Sequence, residues 1–222
     1  MKTAVKPQMV EIPAPTVLRD VSYEVYLALR DAPRNDHLRM VYYDGAIELL
    51  SPEYFHELPS RRLGIVVLFL TLELDIPYQG SRSTTFRRGS VMLRKGHGKE
   101  PDESLYFANL DRILGKETID LDTDPPPDLW IEVDNRASSQ GRLPLYAALG
   151  VPEVWRHEAR RGRIWFGRLI EGRYEAIDRS VSLPMLTPAL LLDALALGEG
   201  ISESEWIRRL RIWISERFAP EA

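Results

Sequence analysis

Two largely apolar stretches separated by an Asp-Gly pair predict a hairpin early in the chain. The stretches Leu38–Tyr43 and Ala46–Leu50 are rich in aliphatic and aromatic residues and are joined by Asp44-Gly45, a strongly favoured hairpin turn. Further stretches of strand length follow it. They are Tyr78–Gly80, Thr84–Arg88, Val91–Leu93, Ser104–Phe107, Leu129–Asp134, Val154–His157, Gly162–Leu169 and Arg173–Ile177, with Glu171-Gly172 as the turn between the last two. The remaining apolar stretches have helical character.

Capping signals mark four helices. Ser51-Pro52 begins a helix that leads into the apolar run Leu63–Leu72 and ends near Asp75. Gly150 is expected to end a short helix over Gly141–Leu149. The last two helices begin at Thr187-Pro188 and at the capping box Ser202-Glu-Ser-Glu205, the final one with an apolar stripe of Ile207, Leu210, Ile214 and Phe218. Strands alternating with helices predict an α/β fold in which helices flank a mixed sheet.

The length of 222 residues allows one large domain or two small ones, and nothing in the sequence requires two. We expect a single domain over residues 18–222, preceded by a flexible, proline-rich arm over residues 1–17. The run Leu63–Leu72 has about half the roughly 20 residues that a membrane span needs, so we expect a buried helix and no membrane partner. No export signal is visible, and the expected location is the cytoplasm.

Two compositional features narrow the chemistry. The chain has no cysteine, which excludes disulfides, zinc–cysteine sites and thiol nucleophiles. Its net charge is −4, which counts mildly against a nucleic-acid partner, although a carboxylate site is acidic until metal fills it. The Gly96-His97-Gly98 segment is expected to be a loop, and it lacks the spacing of a phosphate-binding loop.

Strand alternation groups several carboxylates on one face of the predicted strand Leu129–Asp134. Asp128, Glu132 and Asp134 point one way with Trp130, whereas the aliphatic residues point the other way. Like charges in an apolar setting require a compensating cation or a position at the end of the sheet, and oxygen ligands suit Mg²⁺ or Mn²⁺. The alternative is that Asp128 and Asp134 lie in loops and that Glu132 pairs with an arginine. Spacing alone leaves both interpretations open.

Three ordered motifs carry a family resemblance. The segments MVYYDGAIELLSPEYFHE, EPDESLYF and PDLWIEVDNRASSQGRLPLYAALGVPEVWR resemble the Uma-two family of restriction endonuclease-like proteins, in the PD-(D/E)XK nuclease superfamily. The resemblance runs roughly from Leu38 to Leu197, and its most specific part is Leu145–Trp155. It implies a restriction endonuclease-like fold.

The resemblance also implies a set of site residues. Asp102 corresponds to the aspartate of the PD element and Glu132 to the second acid, and both would bind Mg²⁺ (or Mn²⁺) together with the backbone carbonyl of Val133. Glu48 matches an acidic position beside the site, and His56 matches a histidine on the following helix. A histidine near a helix start is otherwise a surface or capping residue.

The lysine of the superfamily pattern is missing from its usual place. Asp134 stands where it would be, and relatives place a lysine on the next helix where this chain has Arg142. Arginine stabilises the negative charge that develops on a phosphate, but it stays protonated and accepts no proton from water.

The leading hypothesis is therefore a metal-dependent endonuclease acting on nucleic acid, with DNA as the expected partner. Basic residues near the site would grip the substrate, or would simply form a solvated surface. They are Arg82, Arg87, Arg88, Arg94, Lys95, Lys99, Arg156, Arg160, Arg161 and Arg163. Two alternatives are a nuclease-fold binding or assembly module without turnover, and a hydrolase of another phosphoester. Trp206 and Trp213 would form a homodimer interface or belong to the core.

Overall fold

Two β-sheets and six α-helices make up the described part of the chain in this computed structural model, which covers residues 16–33, 35, 38–50, 54–82, 84–90, 95–134 and 139–218. In chain order the elements are β1 (Thr16–Leu18), α1 (Tyr23–Arg30), β2 (Arg39–Tyr43), β3 (Ala46–Leu50), α2 (Tyr54–Glu73), β4 (Gln79–Gly80), β5 (Phe86–Ser90), β6 (Lys95–Lys99), β7 (Glu103–Tyr106), α3 (Leu110–Ile113), β8 (Leu129–Asp134), α4 (Leu143–Leu149), β9 (Glu153–Glu158), β10 (Arg163–Ile170), β11 (Arg173–Ile177), α5 (Pro188–Ala196) and α6 (Glu203–Phe218). A 3₁₀ turn over Ser139–Arg142 leads into α4.

The smaller sheet is antiparallel throughout and has the strand order β1-β3-β2-β6-β5. The larger sheet is mixed, with the order β11-β10-β9-β8-β7-β4. Its parallel pair is β8 and β9, which α4 connects. The predicted α/β fold with a mixed sheet flanked by helices is confirmed. The separate antiparallel sheet was not anticipated, since strand patterns do not show which strands share a sheet.

Both predicted hairpin turns are present. Asp44 and Gly45 have φ of 49° and 72°, and Glu171 and Gly172 have φ of 48° and 80°. Positive φ at both central residues belongs to the type I′ turn, whose twist matches that of the strands it joins. Each turn therefore sets the register of its own hairpin. The residue pair next to the first turn is Tyr43 with Ala46, and the pair next to the second is Ile170 with Arg173.

Strand β8 lies between two layers of helix. Its aliphatic residues Leu129, Ile131 and Val133 pack in one core cluster, which also contains Leu63, Val66, Val67 and Leu70 of α2. Its other face packs Trp130 against Tyr146 and Leu149 of α4. Full burial of each such side chain contributes about 1.5–3 kcal/mol. The predicted alternation along β8 is confirmed. The Leu63–Leu72 run is helical as predicted, but it is buried on one face only, since Leu68 and Leu72 are 42% and 65% exposed. In the described residues, no helix has both the length and the apolar character that crossing a membrane requires.

The last helix begins and docks as predicted. The Ser202 hydroxyl accepts a hydrogen bond from the Glu205 amide (3.3 Å), and Leu210 and Ile214 are buried in the core. Trp206 is fully buried, and its indole N–H donates to the Ala194 carbonyl (2.9 Å). Trp206 therefore belongs to the core rather than to a free surface, and Trp213 packs against the same core cluster.

The segment expected to be a loop at residues 96–98 is instead the middle of β6. Its glycines allow the aromatic rings of α1 to lie directly on the strand. A Cβ added to Gly98 would lie 2.1 Å from the Tyr26 hydroxyl, and one added to Gly96 would lie 2.4 Å from Tyr23 Cε2. Helix α1 itself was not predicted. The glycines that indicate a loop in sequence therefore serve close packing in the structure.

Two other expectations concern the chain before and between these elements. Thr16 and Val17, placed in the N-terminal arm by the sequence, pair with β3 as part of β1. Residues 1–15 lie outside the described residues, as does the strand expected at Val91–Leu93.

Candidate active site

Asp102 lies immediately before β7, at the junction of the two sheets. Its side chain is 5% exposed. One oxygen, Oδ2, accepts a hydrogen bond from the Val133 amide (2.8 Å), and Oδ1 lies 2.9 Å from Nη1 of Arg39 on β2. The carboxylate is thus held beside the residue that follows Glu132.

Glu132 lies on the α4-facing side of β8 and is 3% exposed. Its Oε2 is 3.1 Å from Nζ of Lys99, whereas Oε1 is buried and has no hydrogen-bond partner. Burial raises the pKa of Glu132 to about 7; Lys99 opposes this rise, the nearby Asp102 carboxylate adds to it, and Arg142 opposes it. The structure therefore brings the two predicted acids together.

Lys99 ends β6 and is 2% exposed. Besides facing Glu132, its ammonium donates to the Glu100 carbonyl (3.0 Å) and lies 5.8 Å from the centre of the Tyr146 ring. Burial, and then the charge of Glu132, raise the pKa of the Tyr146 hydroxyl well above its usual value.

Lys99 was expected in a basic surface run, and that placement is wrong. The signal that could have located it is its position three residues before Asp102: the short Glu100-Pro101 connection leaves the end of β6 close to the start of β7.

Arg142 and Glu48 also converge on this region. The guanidinium donates two hydrogen bonds to the carboxylate, from Nη2 to Oε1 (2.7 Å) and from Nε to Oε2 (3.2 Å). Burial alone would lower the pKa of Arg142, but Tyr146, Glu48 and Glu132 raise it overall. Arg142 therefore stays cationic beside Glu132, and Glu48 orients it in a two-point contact.

The other two acids on this face of β8 have separate partners. Asp134 accepts from the Ser139 amide (2.7 Å) and from Nη2 of Arg156 (2.6 Å), while Arg156 Nε donates to the Ser139 hydroxyl (2.8 Å). Asp128 accepts three hydrogen bonds from Phe107 and Asn109. Asp134 thus ties the 3₁₀ turn to the sheet, and neither acid shares the site of Glu132. The sequence left open that Glu132 pairs with an arginine. In the structure it is Asp134 that pairs with an arginine, Arg156, whereas Glu132 pairs with Lys99.

Several basic residues expected to bind a substrate instead form ion pairs or hydrogen bonds within the protein. Arg87 pairs with Asp31 (3.0 Å), and Arg88 donates to the carbonyls of Leu121 and Ala148. Arg156 is buried in the Asp134 cluster. His56 belongs to the first turn of α2, but its side chain lies outside the described part of the chain, as does Arg94. The expected basic surface is therefore smaller than the sequence indicates.

The carboxylates of Asp102 and Glu132 and the Val133 carbonyl fit a divalent cation that takes few of its ligands from the protein. Across the described residues, no group of three or more His, Cys, Asp or Glu side chains is arranged to hold a metal. Two carboxylates with one backbone carbonyl nevertheless suit Mg²⁺, which usually keeps several waters. The unpartnered Oε1 of Glu132 is a buried ligand atom of the right kind. Since Arg39 and Lys99 already contact the two acids, a metal would compete with them.

Comparisons with known proteins identify the family and the fold of the chain. The profile of the Uma2 family, described as "putative restriction endonuclease", matches residues 23–198. The chain belongs to the Uma2 family. No curated protein matches it. It is also similar to a crystal structure described as "a putative nuclease belonging to DUF820" from Anabaena variabilis, with 16% identity and a TM-score of 0.50, covering 87% of this chain and 99% of that one. The Uma2-family chain thus has a restriction endonuclease-like fold.

Proposed function

We propose that this Uma2-family protein is a divalent-metal-dependent endonuclease that hydrolyses phosphodiester bonds of DNA. The observation that carries the proposal is the pair of buried acids: Asp102 is bound to the amide of Val133, next to Glu132, whose Oε1 lacks a partner. An unpartnered buried carboxylate oxygen is costly unless a ligand completes its coordination. The family description supports a nucleic-acid substrate.

In the proposed site Asp102, Glu132 and the Val133 carbonyl hold the metal. When bound, Mg²⁺ or Mn²⁺ neutralises charge on the scissile phosphate and makes water a better nucleophile. The chain's own residues supply the remaining parts. Arg39 and the Val133 amide fix the orientation of Asp102, and Arg142, held by Glu48, presents guanidinium N–H groups for the phosphoryl oxygens.

The proposed reaction adds water across one P–O ester bond. The water oxygen bonds to phosphorus, the bond to the leaving oxygen breaks, and the products are one phosphate monoester and one hydroxyl. Arg142 contributes charge but accepts no proton because it stays protonated.

The test is cleavage of plasmid and linear DNA with Mg²⁺ or Mn²⁺, compared with EDTA. Wild-type protein should cut only with metal, and Asp102→Asn and Glu132→Gln should each lower the rate about 100-fold or more. Glu175→Gln is a matched control, because this β11 carboxylate is exposed and remote from the two acids in sequence. Equal cleavage by wild type and both site variants would mean that a contaminant cuts the DNA. RNA and small phosphoesters, run in parallel, test the substrate class.

A second candidate function is a binding or assembly module with no turnover. One observation favours it: each acid already has a cationic neighbour, Arg39 for Asp102 and Lys99 for Glu132. DNA binding that persists in EDTA, with no cleavage under any metal, would support this second function over the first.

A duplex offers two strands to cut, and we propose a homodimer that presents two sites. Light scattering during gel filtration tests it: a mass of one chain, with and without duplex DNA, would rule the homodimer out.

A further inference from the structure

The ion pair between Lys99 and Glu132 crosses from one sheet to the other. Lys99 comes from the end of β6 in the antiparallel sheet, and Glu132 comes from β8 in the mixed sheet. Both side chains are almost completely buried, at 3% and 4% exposure. Taking two charges out of water costs several kcal/mol per ion, which their attraction offsets only with good geometry and further hydrogen bonds.

Only Lys99 has further contacts that offset the cost of its burial. The Lys99 ammonium has the Glu132 carboxylate, the Glu100 carbonyl and the Tyr146 ring as neighbours. Glu132, by contrast, uses Oε2 alone, since Oε1 is buried without a hydrogen-bond partner.

Two other buried carboxylates of the described chain, Glu153 and Asp134, accept hydrogen bonds at both oxygens. In Glu153, Oε1 accepts from the Trp155 indole (2.7 Å), and Oε2 accepts from the amides of Val181 and Ser182. Both oxygens of Asp134 are used as well, by Ser139 and Arg156. These carboxylates have the bonding expected of structural groups. The incomplete bonding of Glu132 differs from theirs and leaves one oxygen available to a ligand.

Without metal, a cationic side chain balances the charge of each of the two acids. Asp102 lies beside Val133, so a second buried acid adjoins Glu132, and its own cationic contact is with Arg39. A flexible four-carbon side chain ending in a compact ammonium can occupy such a position and leave it again.

We propose that Lys99 is a tethered counter-ion for Glu132, and that a divalent metal binding at Asp102 and Glu132 displaces its ammonium. The inference rests on the proposed function, because it concerns the same two acids. Lys99 acts in it as a positioning residue: it keeps Glu132 in place without metal, and it sets the metal affinity by competing for the carboxylate. The ammonium that metal binding releases stays on the same side of the site, attached to β6.

The experiment compares wild type with Lys99→Met and Lys99→Arg by Mn²⁺ calorimetry and by thermal unfolding with and without Mn²⁺. Lys116→Met is the matched control, because Lys116 is exposed and pairs with Asp124 rather than with either of the two acids. Lys99→Met removes the competing charge at similar length, and should bind Mn²⁺ about tenfold more tightly or more than wild type. Its Tm without metal should fall, and Mn²⁺ should raise it by more than it raises that of wild type. Lys99→Arg and Lys116→Met should keep the wild-type affinity within about threefold.

Two results would overturn the inference. One is an equal Mn²⁺ affinity in wild type and Lys99→Met. The other is a Lys99→Met chain that fails to fold both with and without Mn²⁺, since metal would then not replace the ammonium. A chain that folds only when Mn²⁺ is present supports it. Failure of the nuclease proposal would be a separate result. If the Mn²⁺ affinity depends on Lys99 but the protein cleaves no nucleic acid, the counter-ion role of Lys99 stands and the nuclease proposal does not.

Discussion

The Val133 amide donates a 2.8 Å hydrogen bond to the Asp102 carboxylate, and this one contact places the acid that precedes β7 beside the acid in β8. Strands β7 and β8 are antiparallel neighbours, with Glu103 opposite Ile131. Asp102 therefore faces the end of β8, where Glu132 lies on the α4 side. The site thus arises from sheet register and from one backbone hydrogen bond.

Arg142 is predicted to act on the transition state rather than on metal binding. Arg142→Ala should lower single-turnover DNA cleavage about 100- to 1000-fold, as loss of a preorganised donor does. Its Mn²⁺ affinity should change less than that of Lys99→Met, because the guanidinium contacts Glu48 and acts on Glu132 only through its charge. Rapid-quench kinetics and calorimetry measure the two effects. An unchanged cleavage rate would remove Arg142 from the proposed mechanism.

Asp134 and Arg156 are predicted to stabilise the fold around the 3₁₀ turn. Arg156→Met leaves a buried carboxylate without its cation and should cost about 3–5 kcal/mol of unfolding free energy. Combining Arg156→Met with Asp134→Leu should recover much of that loss, because no unpaired charge remains. Urea unfolding of the three variants measures this. If the double variant is as unstable as the sum of both single changes, the pair is not what stabilises the turn.

Gly98 is predicted to be required for the packing of α1 on β6. Gly98→Ala places a methyl group 2.1 Å from the Tyr26 hydroxyl and should destabilise the protein by about 1–3 kcal/mol. Gly141→Ala is the control, since a Cβ there would have no neighbour within 4 Å. Thermal unfolding should separate the two variants clearly. Equal melting temperatures would contradict the close approach.

The two histidines with shifted pKa values predict weaker folding in mild acid. Burial lowers the pKa of His97, with Arg88 adding to the effect, and burial lowers the pKa of His157. A pKa below that of the unfolded chain means that the unfolded state binds more protons. The contribution of each histidine to the free energy of unfolding is therefore complete above about pH 6.5. It is lost as the pH falls through the pKa of the folded state.

His97→Phe keeps a ring against Tyr43 and removes one of these two titrations. Urea unfolding at pH 7.5 and pH 5.5 should show a smaller loss of stability in this variant than in wild type. The same loss in both proteins would show that His97 does not contribute.

The sequence predicts well what is decided locally. The two positive-φ turns, the alternation along β8, and the caps of α5 and α6 all depend on neighbours within a few residues. The proximity of Asp102 and Glu132 was also expected from sequence, but through family resemblance: strand alternation alone places Asp128 and Asp134 on the same face as Glu132 and does not distinguish their partners.

Lys99 and β6 were missed because their structure is decided by distant contacts. A Gly-His-Gly segment has no intrinsic preference for a strand, and only pairing with β2 and β5, under the rings of α1, makes it one. The lysine then reaches Glu132, 33 positions further along the chain, across the junction of two sheets. No periodicity in the sequence carries that information.

The most direct test of the site is a Mn²⁺ titration of wild type, Asp102→Asn and Glu132→Gln by calorimetry, with Glu175→Gln as the control. If the two acids hold one metal in common, wild type and Glu175→Gln will show saturable binding, and each of the other two changes will abolish it while thermal unfolding remains cooperative. Binding that survives in either Asp102→Asn or Glu132→Gln with unchanged affinity, or no binding by the wild-type chain, would contradict a metal shared between these acids.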